Sequence, residues 1–145
     1  MATTIMLSNG VKMPSFGLGT WQANEDEVAA AIRVVLENGY RLIDTAAAYQ
    51  NKTEIGAVLQ EFFKAAKLKR EDIFITTKLF WNSNREEDVE PSIRQSLKQL
   101  QLDYVDLYLV HMLAGLTMFN FSLSDDDMHQ LNKVKQEPRV FMAEL

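Results

Sequence analysis

A strand followed by a helix recurs along the chain, and this repeat constrains the fold more than any other feature of the sequence. Short apolar runs typical of strands begin at residues 16, 41, 73 and 105, so successive runs start 25, 32 and 32 residues apart. Apolar residues with helical spacing follow each of the first three runs. This period is typical of βα units, and continuous apolar strands are typical of a parallel sheet covered on both faces. We therefore predict an α/β fold.

The three helices predicted between these strands have apolar stripes and recognisable ends. Asn24 is the predicted N-cap of the first helix, whose first turn is acidic, and Gly39 closes it. The second helix is predicted over residues 53–66. The third is predicted over 86–100, with Pro91 in or near its first turn, where proline is tolerated. The stripes expected to be buried are Val28, Ile32, Val35 and Leu36; Ile55, Leu59, Phe62 and Phe63; and Val89, Ile93, Leu97 and Leu100.

Residues before and after this repeat predict a hairpin at one end of the chain and a further helix at the other. A hairpin is predicted over residues 5–13 with a two-residue turn at Asn9-Gly10, and Pro14 ends it. At the other end, residues 112–121 read as an apolar connector. Ser124 is the predicted cap of a final helix that ends near residue 134, and the tail after it has no pattern that predicts structure.

Composition excludes several classes of function. The 145 residues fit one domain, 1–145, and 47% hydrophobic with 24% charged residues is typical of a globular chain. No stretch is apolar enough to cross a membrane and the start does not resemble a signal peptide, so we expect a cytoplasmic protein. With no cysteine and two histidines, no metal site is predicted. A net charge of −5 without a basic block argues against nucleic acid as a partner.

Ionisable side chains end three consecutive predicted strands. Asp44 ends the second strand with Tyr49 in the loop after it, Lys78 ends the third strand, and His111 ends the fourth. The carboxyl ends of parallel strands meet at one edge of a sheet, so these side chains should lie close together. A phenol with a reference pKa near ~10 donates a proton poorly at neutral pH, and an adjacent ammonium favours its phenolate. The set suits proton transfer to a carbonyl oxygen, with Asp44 holding Lys78 and His111 orienting the carbonyl.

Each of these side chains alone also has a structural interpretation. An acid after a strand is often a loop or cap residue, a tyrosine before a helix often packs, and a lysine or histidine at a strand end is often solvated or satisfied locally. Their equivalent positions on successive strands favour a site over these separate readings. Three aromatic residues at the same edge fit a core or an apolar substrate pocket equally well: Trp21, Phe80 and Trp81.

Four segments of the chain resemble the aldo-keto reductases, in the same order and close to the expected spacings. They are residues 17–21 (GLGTW), 39–46 (GYRLIDTA), 77–78 (TK) and 106–111 (DLYLVH). The resemblance implies a (β/α)8 barrel with a hairpin closing its bottom, and reduction of an aldehyde or ketone by hydride from NADPH. It also implies a catalytic tetrad in which Tyr49 is the proton donor: Asp44, Tyr49, Lys78 and His111. The implied cofactor contacts are Gly19, Thr20, Trp21 and Asp44, and the implied substrate pocket is Trp21, Tyr49, Phe80 and His111.

The chain departs from this family at two residues and in its length. Lys52 stands where an acid is usual, and Met112 stands where a tryptophan is common. A (β/α)8 barrel takes roughly 250 residues, and residues 119–141 resemble the C-terminal region of the family. The sequence therefore predicts an internally deleted member, with the first half of the barrel in 1–111 and a connector plus the C-terminal segment in 112–145.

This deletion leaves two functions open. The first is NADPH-dependent carbonyl reduction, with part of the cofactor site missing. The second is a non-enzymatic interaction protein or an unstable product. The exposed edges of a half barrel would favour self-association. The carbonyl substrate is not specified by the sequence.

Overall fold

Two sheets organise the part of the chain that the structure, a computed structural model, describes: residues 3–83 and 85–111. Strands β1 (Thr4–Met6) and β2 (Lys12–Pro14) form an antiparallel hairpin. The second sheet is parallel, with β3 (Leu18–Gly19), β4 (Leu42–Asp44), β5 (Phe74–Leu79) and β6 (Leu107–Val110) in that order. Helices α1 (Glu25–Glu37), α2 (Lys52–Lys64) and α3 (Glu86–Leu100) connect its strands. The predicted connector, final helix and tail lie outside the described residues.

The order of the parallel strands is that of a barrel segment. Strands that are consecutive in the chain from β3 to β6 are neighbours in the sheet, whereas the order reverses in a doubly wound sheet. The helices lie side by side, with α1 packed on α2 and α2 on α3. None of the helices in residues 3–83 and 85–111 is long and apolar enough to cross a membrane. The predicted α/β fold with parallel βα units is confirmed.

The core lies between this helix layer and one face of the sheet. The predicted stripes of α1 and α2 are buried except for Val35 and Phe63, which are partly exposed. In α3, Leu100 is fully buried but the rest of the stripe is half-buried, because no described helix covers its far side. All six residues of β5 are buried, since β4 and β6 pair with it on both sides. The core residues are Val28, Ile32, Leu36, Ile43, Ile55, Val58, Leu59, Phe62, Leu68, Ile73, Ile75 and Leu100.

Helix α1 begins and ends as predicted. Its N-terminus is a capping box: the Asn24 side chain accepts from the Glu27 backbone N–H (2.9 Å), and the Glu27 carboxylate accepts from the Asn24 N–H (3.1 Å). Gly39 follows the helix with φ +84°, a conformation that favours glycine. The Tyr40 N–H donates to the Val35 carbonyl oxygen (2.9 Å), which satisfies the last turn.

Asn24→Ala is expected to lower the free energy of unfolding by about 1 kcal/mol, because the Glu27 N–H loses the Asn24 side-chain oxygen that accepts from it. Asn24→Ser keeps a capping oxygen and should remain close to the native value. Urea unfolding of the two variants measures the difference. Equal losses in both variants would contradict a role for the cap.

Two predicted details of the hairpin are wrong. The Leu7 N–H donates to the Val11 carbonyl and the Gly10 N–H donates to the Leu7 carbonyl, both at 2.9 Å, so the loop has three residues instead of two. Gly10 alone in this loop has a positive φ, because the Asn9 side chain accepts from the Val11 N–H (3.1 Å) and forms a local turn. Pro14 is the last residue of β2 rather than the residue after it, which an outer strand tolerates.

Two predicted boundaries in the parallel units also differ. The first parallel strand is only two residues long, Leu18–Gly19. Phe16, where the predicted run begins, is 68% exposed, and Trp21, two residues after the strand, is 60% exposed. Pro91 is the sixth residue of α3, one turn further in than expected. The helix continues through it with the loss of one backbone donor.

Candidate active site

Side-chain alternation along the parallel strands places the predicted ionisable residues on one face of the sheet. Asp44 lies opposite Thr76, and Lys78 lies opposite Leu109. Alternate residues of a strand share a face, so Lys78 lies on the face of Thr76 and Asp44, and His111 continues the face of Leu109. The strand ends therefore bring Asp44, Lys78 and His111 to one edge, as the sequence predicts.

The Lys78 ammonium is the centre of this cluster. Its Nζ donates to Oδ2 of Asp44 (2.6 Å), to the hydroxyl of Tyr49 (3.1 Å) and to the backbone carbonyl of Thr45 (3.1 Å). These bonds use all three protons of the ammonium. Lys78 is 7% exposed, so its position is fixed by the surrounding chain. Asp44 and Tyr49 are therefore held at one cation.

The turn that presents Tyr49 is tied to the sheet by a residue that the sequence analysis missed. Tyr49 ends a short 3-10 turn, Ala47–Tyr49, and Asn51 follows just before α2. The Asn51 side chain is 2% exposed and donates to the carbonyls of Thr20 (2.8 Å) and Ala23 (3.2 Å). An asparagine before a helix reads as a helix cap in sequence, but it makes no capping bond here. Its role depends on the fold, which brings the end of β3 within reach.

His111 lies beside the Tyr49 ring. The two ring centres are 5.6 Å apart at 77°, an edge-to-face contact. Burial lowers the pKa of His111; the Lys78 ammonium adds to this, the Asp44 carboxylate opposes it, and Lys52 lowers it further. The imidazole is therefore neutral at pH 7, with one N–H donor and one acceptor nitrogen. Its Nδ1 is buried without a hydrogen-bond partner within residues 3–83 and 85–111.

The aromatic residues at this edge separate into two groups. Phe80 and Trp81 stack with ring centres 4.0 Å apart, and the Trp81 ring centre lies 6.5 Å from that of His111. Trp21, which is 60% exposed, makes none of the ring contacts found in the described part of the chain. Trp81 therefore links Phe80 to His111, and Trp21 makes no ring contact with any of these three residues.

The remaining residues predicted at the cofactor line the end of β3. Thr20 is 1% exposed and its hydroxyl donates to the Asp44 backbone carbonyl (3.1 Å), so it fixes the end of β4. An added Cβ on Gly19 would meet no atom within 4 Å, so the space beside this glycine is open. Asp44 bonds to Lys78 through Oδ2 and its side chain stays 28% exposed.

A second lysine is buried behind this cluster. Lys52, which stands where an acid is usual in the family that the sequence resembles, is 2% exposed, and its Nζ donates to the Ser96 hydroxyl (2.6 Å). It forms no ion pair with any described carboxylate. Burial lowers the pKa of Lys52 to about 8, and the nearby Lys78 ammonium adds to that shift. The sequence shows the substitution but not the burial.

Lys52→Met is expected to raise the free energy of unfolding at pH 7 by an amount on the order of 2 kcal/mol, because a buried charge is replaced by an apolar side chain of similar length. The Lys52 pKa is about 8 in the folded protein against 10.5 as the reference. The unfolded chain therefore binds this proton more tightly, and native stability should rise as the pH increases through that interval.

Urea unfolding at several pH values tests this expectation, with the exposed Lys64→Met as the matched control. The rise in stability between the two pKa values should be present in the native protein and in Lys64→Met, and absent in Lys52→Met. A Lys52→Met variant that is less stable than the native protein at pH 7 would contradict it.

Comparisons with known proteins point to one family. The sequence profile of the Aldo/keto reductase family matches residues 13–137. The rat protein "Aldo-keto reductase family 1 member A1" is 49% identical over 111 residues, which cover 76% of this chain and 34% of that protein. "Methylglyoxal reductase DkgA" of Salmonella typhimurium is 53% identical over 109 residues, covering 75% of this chain and 38% of that protein.

Two solved structures are also similar. The aldose reductase of Schistosoma japonicum superposes with a TM-score of 0.73 at 45% identity, over 75% of this chain and 36% of that one. An aldo-keto reductase complexed with NADPH gives a TM-score of 0.71 at 39% identity, over 76% of this chain and 36% of that one. The chain thus spans little more than a third of the length of the curated relatives it matches.

Proposed function

This chain belongs to the aldo/keto reductase family, with the α/β fold of a partial (β/α)8 barrel, and we propose that it reduces aldehydes or ketones to alcohols with NADPH. One observation carries the proposal. The Lys78 ammonium donates at the same time to the Asp44 carboxylate (2.6 Å) and to the Tyr49 hydroxyl (3.1 Å), on the sheet edge where parallel α/β folds bind substrates.

Tyr49 is the proton donor in this proposal. When its hydroxyl proton moves to the carbonyl oxygen of the substrate, negative charge is left on the phenol oxygen, and the Lys78 N–H that points at that oxygen stabilises it. Asp44 keeps Lys78 in position through the ion pair. Lys78 is buried, whereas Asp44, Tyr49 and His111 are partly exposed. The interactions of the Lys78 ammonium are therefore stronger than they would be in water.

His111 has a second role in the proposal. As a neutral imidazole it can donate one N–H to the carbonyl oxygen, which orients the carbonyl against the Tyr49 hydroxyl. Its ring already lies edge-to-face on Tyr49 at 5.6 Å. Because burial lowers the pKa of His111, this donor stays uncharged and does not compete with Tyr49 as the acid.

The residues at the end of β3 fit the nicotinamide end of the cofactor. The open space beside Gly19, the exposed indole of Trp21 and the exposed part of the Asp44 carboxylate would hold it, and Thr20 would fix Asp44 from behind. NADPH, when bound, supplies the hydride that reduces the carbonyl carbon. Phe80, together with Trp21, Tyr49 and His111, would line the substrate pocket. No residue of the described ranges is assigned to the adenosine half.

Cofactor titration with an aromatic aldehyde assay tests the proposal. The two tryptophans of the sequence, Trp21 and Trp81, make intrinsic fluorescence a direct reporter of this edge. We expect saturable quenching by NADPH, reduced in Trp21→Phe, and NADPH oxidation that depends on the aldehyde. No quenching at millimolar NADPH, or no aldehyde-dependent oxidation, would contradict the proposed function.

Self-association is a second candidate, as a half barrel that binds another copy of itself. The parallel sheet ends at β3 and β6 among the described strands, and Val110 on β6 is 56% exposed. Edge strands with free backbone groups favour pairing. A dimer mass in size-exclusion chromatography with a cooperative urea transition supports this candidate; a monomer, or an aggregate without a cooperative transition, contradicts it.

Two points remain predictions from the sequence. They are the cytoplasmic location and the division of the chain into the first half of the barrel, 1–111, and a connector with the C-terminal segment, 112–145.

A further inference from the structure

A cavity of about 630 Å³ lies between α3, the loop after β5 and the 3-10 turn that carries Tyr49. Its α3 wall is polar, formed by residues that share one face of the helix: Ser92, Gln95, Ser96 and Gln99. The Phe80 ring supplies an apolar wall on the loop side. None of the four side chains of the Lys78 cluster lines this cavity, which shares only Phe80 with the substrate pocket proposed above.

The wall residue Ser96 connects the cavity to a buried positive charge. Lys52 donates to the Ser96 hydroxyl oxygen at 2.6 Å, and both residues are 2% exposed. An ammonium only donates, so the hydroxyl oxygen accepts this bond and the hydroxyl proton is left to donate elsewhere. Among residues 3–83 and 85–111, this bond from Lys52 is the hydrogen bond found at the Ser96 hydroxyl, and none is found in which the hydroxyl donates. It can therefore donate to a molecule in the cavity.

The charge of this region favours an anion as that molecule. A buried ammonium without a carboxylate partner is unfavourable, and a negative group close to it offsets the cost of its burial. The Lys52 pKa of about 8 leaves the ammonium largely charged at pH 7. Asp88 also lines the cavity, eight positions before Ser96 in α3 and hence ~12 Å away along the helix axis. Repulsion at the Asp88 end directs a carboxylate toward Ser96.

We propose that this cavity binds a small carboxylate with an aromatic or apolar body, its carboxylate accepting from the Ser96 hydroxyl in front of Lys52 and its body lying against Phe80. Binding at Ser96 and Lys52 does not require carbonyl reduction, and the ligand need not be a substrate. It arises from the replacement of an acid by Lys52, because an acid there would repel the same anion.

Titration of the 145-residue chain with benzoate, followed by calorimetry or NMR at pH 7, tests the site. Lys52→Met and Ser96→Ala should each weaken benzoate binding by about tenfold or more, the effect of losing a hydrogen bond to a charged group. Lys64→Met should bind as the native protein does. Neutral benzamide should show no difference among the four proteins. Native affinity for benzoate should also fall above pH 8, as Lys52 loses its proton.

The Tyr49→Phe variant separates this site from the Lys78 cluster, which could also attract an anion. It should keep native benzoate affinity. Benzoate binding that is lost in Tyr49→Phe but retained in Lys52→Met would overturn the proposal, as would the absence of saturable binding to the native protein. Lys52→Met is expected to be more stable than the native chain, and a cooperative melt of each variant confirms that the comparison is between folded proteins.

Discussion

Tyr49→Phe is expected to lower the rate of aldehyde reduction by roughly 10²–10⁴-fold, the usual contribution of a positioned general acid. The substitution removes the hydroxyl that Lys78 contacts at 3.1 Å and keeps the ring that packs edge-to-face with His111. NADPH binding, followed by tryptophan fluorescence, should be unchanged because the ring stays in place. Steady-state NADPH oxidation with an aromatic aldehyde measures the loss.

Tyr108→Phe is the matched control for this measurement. The Tyr108 hydroxyl donates to Ser92 at a long 3.4 Å on the helix side of the sheet, so its loss should leave the rate near the native value. Combining Tyr49→Phe with Lys78→Met should cost little more than Tyr49→Phe alone, because the two groups act as a unit. Equal rates in native protein and Tyr49→Phe would remove Tyr49 as the proton donor.

Gly56→Ala is expected to lower the free energy of unfolding by an amount on the order of 3 kcal/mol. Gly56 lies where α2 meets the end of α3. A Cβ at this position would be 2.6 Å from the carbonyl oxygens of Gln99 and Leu100 and 2.7 Å from the carbonyl carbon of Leu100. These are backbone atoms, which cannot rotate away, so the two helices would have to move apart.

Helix propensity makes this prediction sharp, because alanine in an open helix position is more stable than glycine by about 1 kcal/mol. If the close approach of the helices had no effect, Gly56→Ala would stabilise the protein. The exposed neighbour Ala57 supplies the control: Ala57→Gly should cost about that propensity difference and no more. Urea unfolding of both variants gives the sign and the size. A stabilised Gly56→Ala variant would contradict the described packing of α2 on α3.

Local signals in the sequence predict the elements and the ionisable cluster. Asn24 and Gly39 mark the ends of α1 correctly because capping depends on residues within one turn. The strand period predicts that Asp44 and Lys78 meet, since alternation and parallel pairing fix which strand ends share an edge. These features need no knowledge of distant contacts.

Features that depend on distant contacts could not be predicted in the same way. The burial of Lys52 requires Ser96, 44 residues later, to lie on the facing helix. The tie from Asn51 to the Thr20 carbonyl likewise joins residues 31 positions apart. The apolar residues of α3 have the helical spacing of a buried stripe, yet most of them are only half-buried. Their burial depends on which elements pack against the helix, and the spacing does not show that.

The burial of β5 links the stability of the fold to the geometry of the site. All six of its residues are buried, Phe74–Thr76 pair with β4 and Thr76–Leu79 pair with β6, and Lys78 is the fifth residue of the strand. Amide protons of such a strand exchange with solvent through cooperative opening of the domain rather than through local fraying. The ion pair between Lys78 and Asp44 therefore opens together with the core, and hydrogen exchange along β5 reports on the integrity of both.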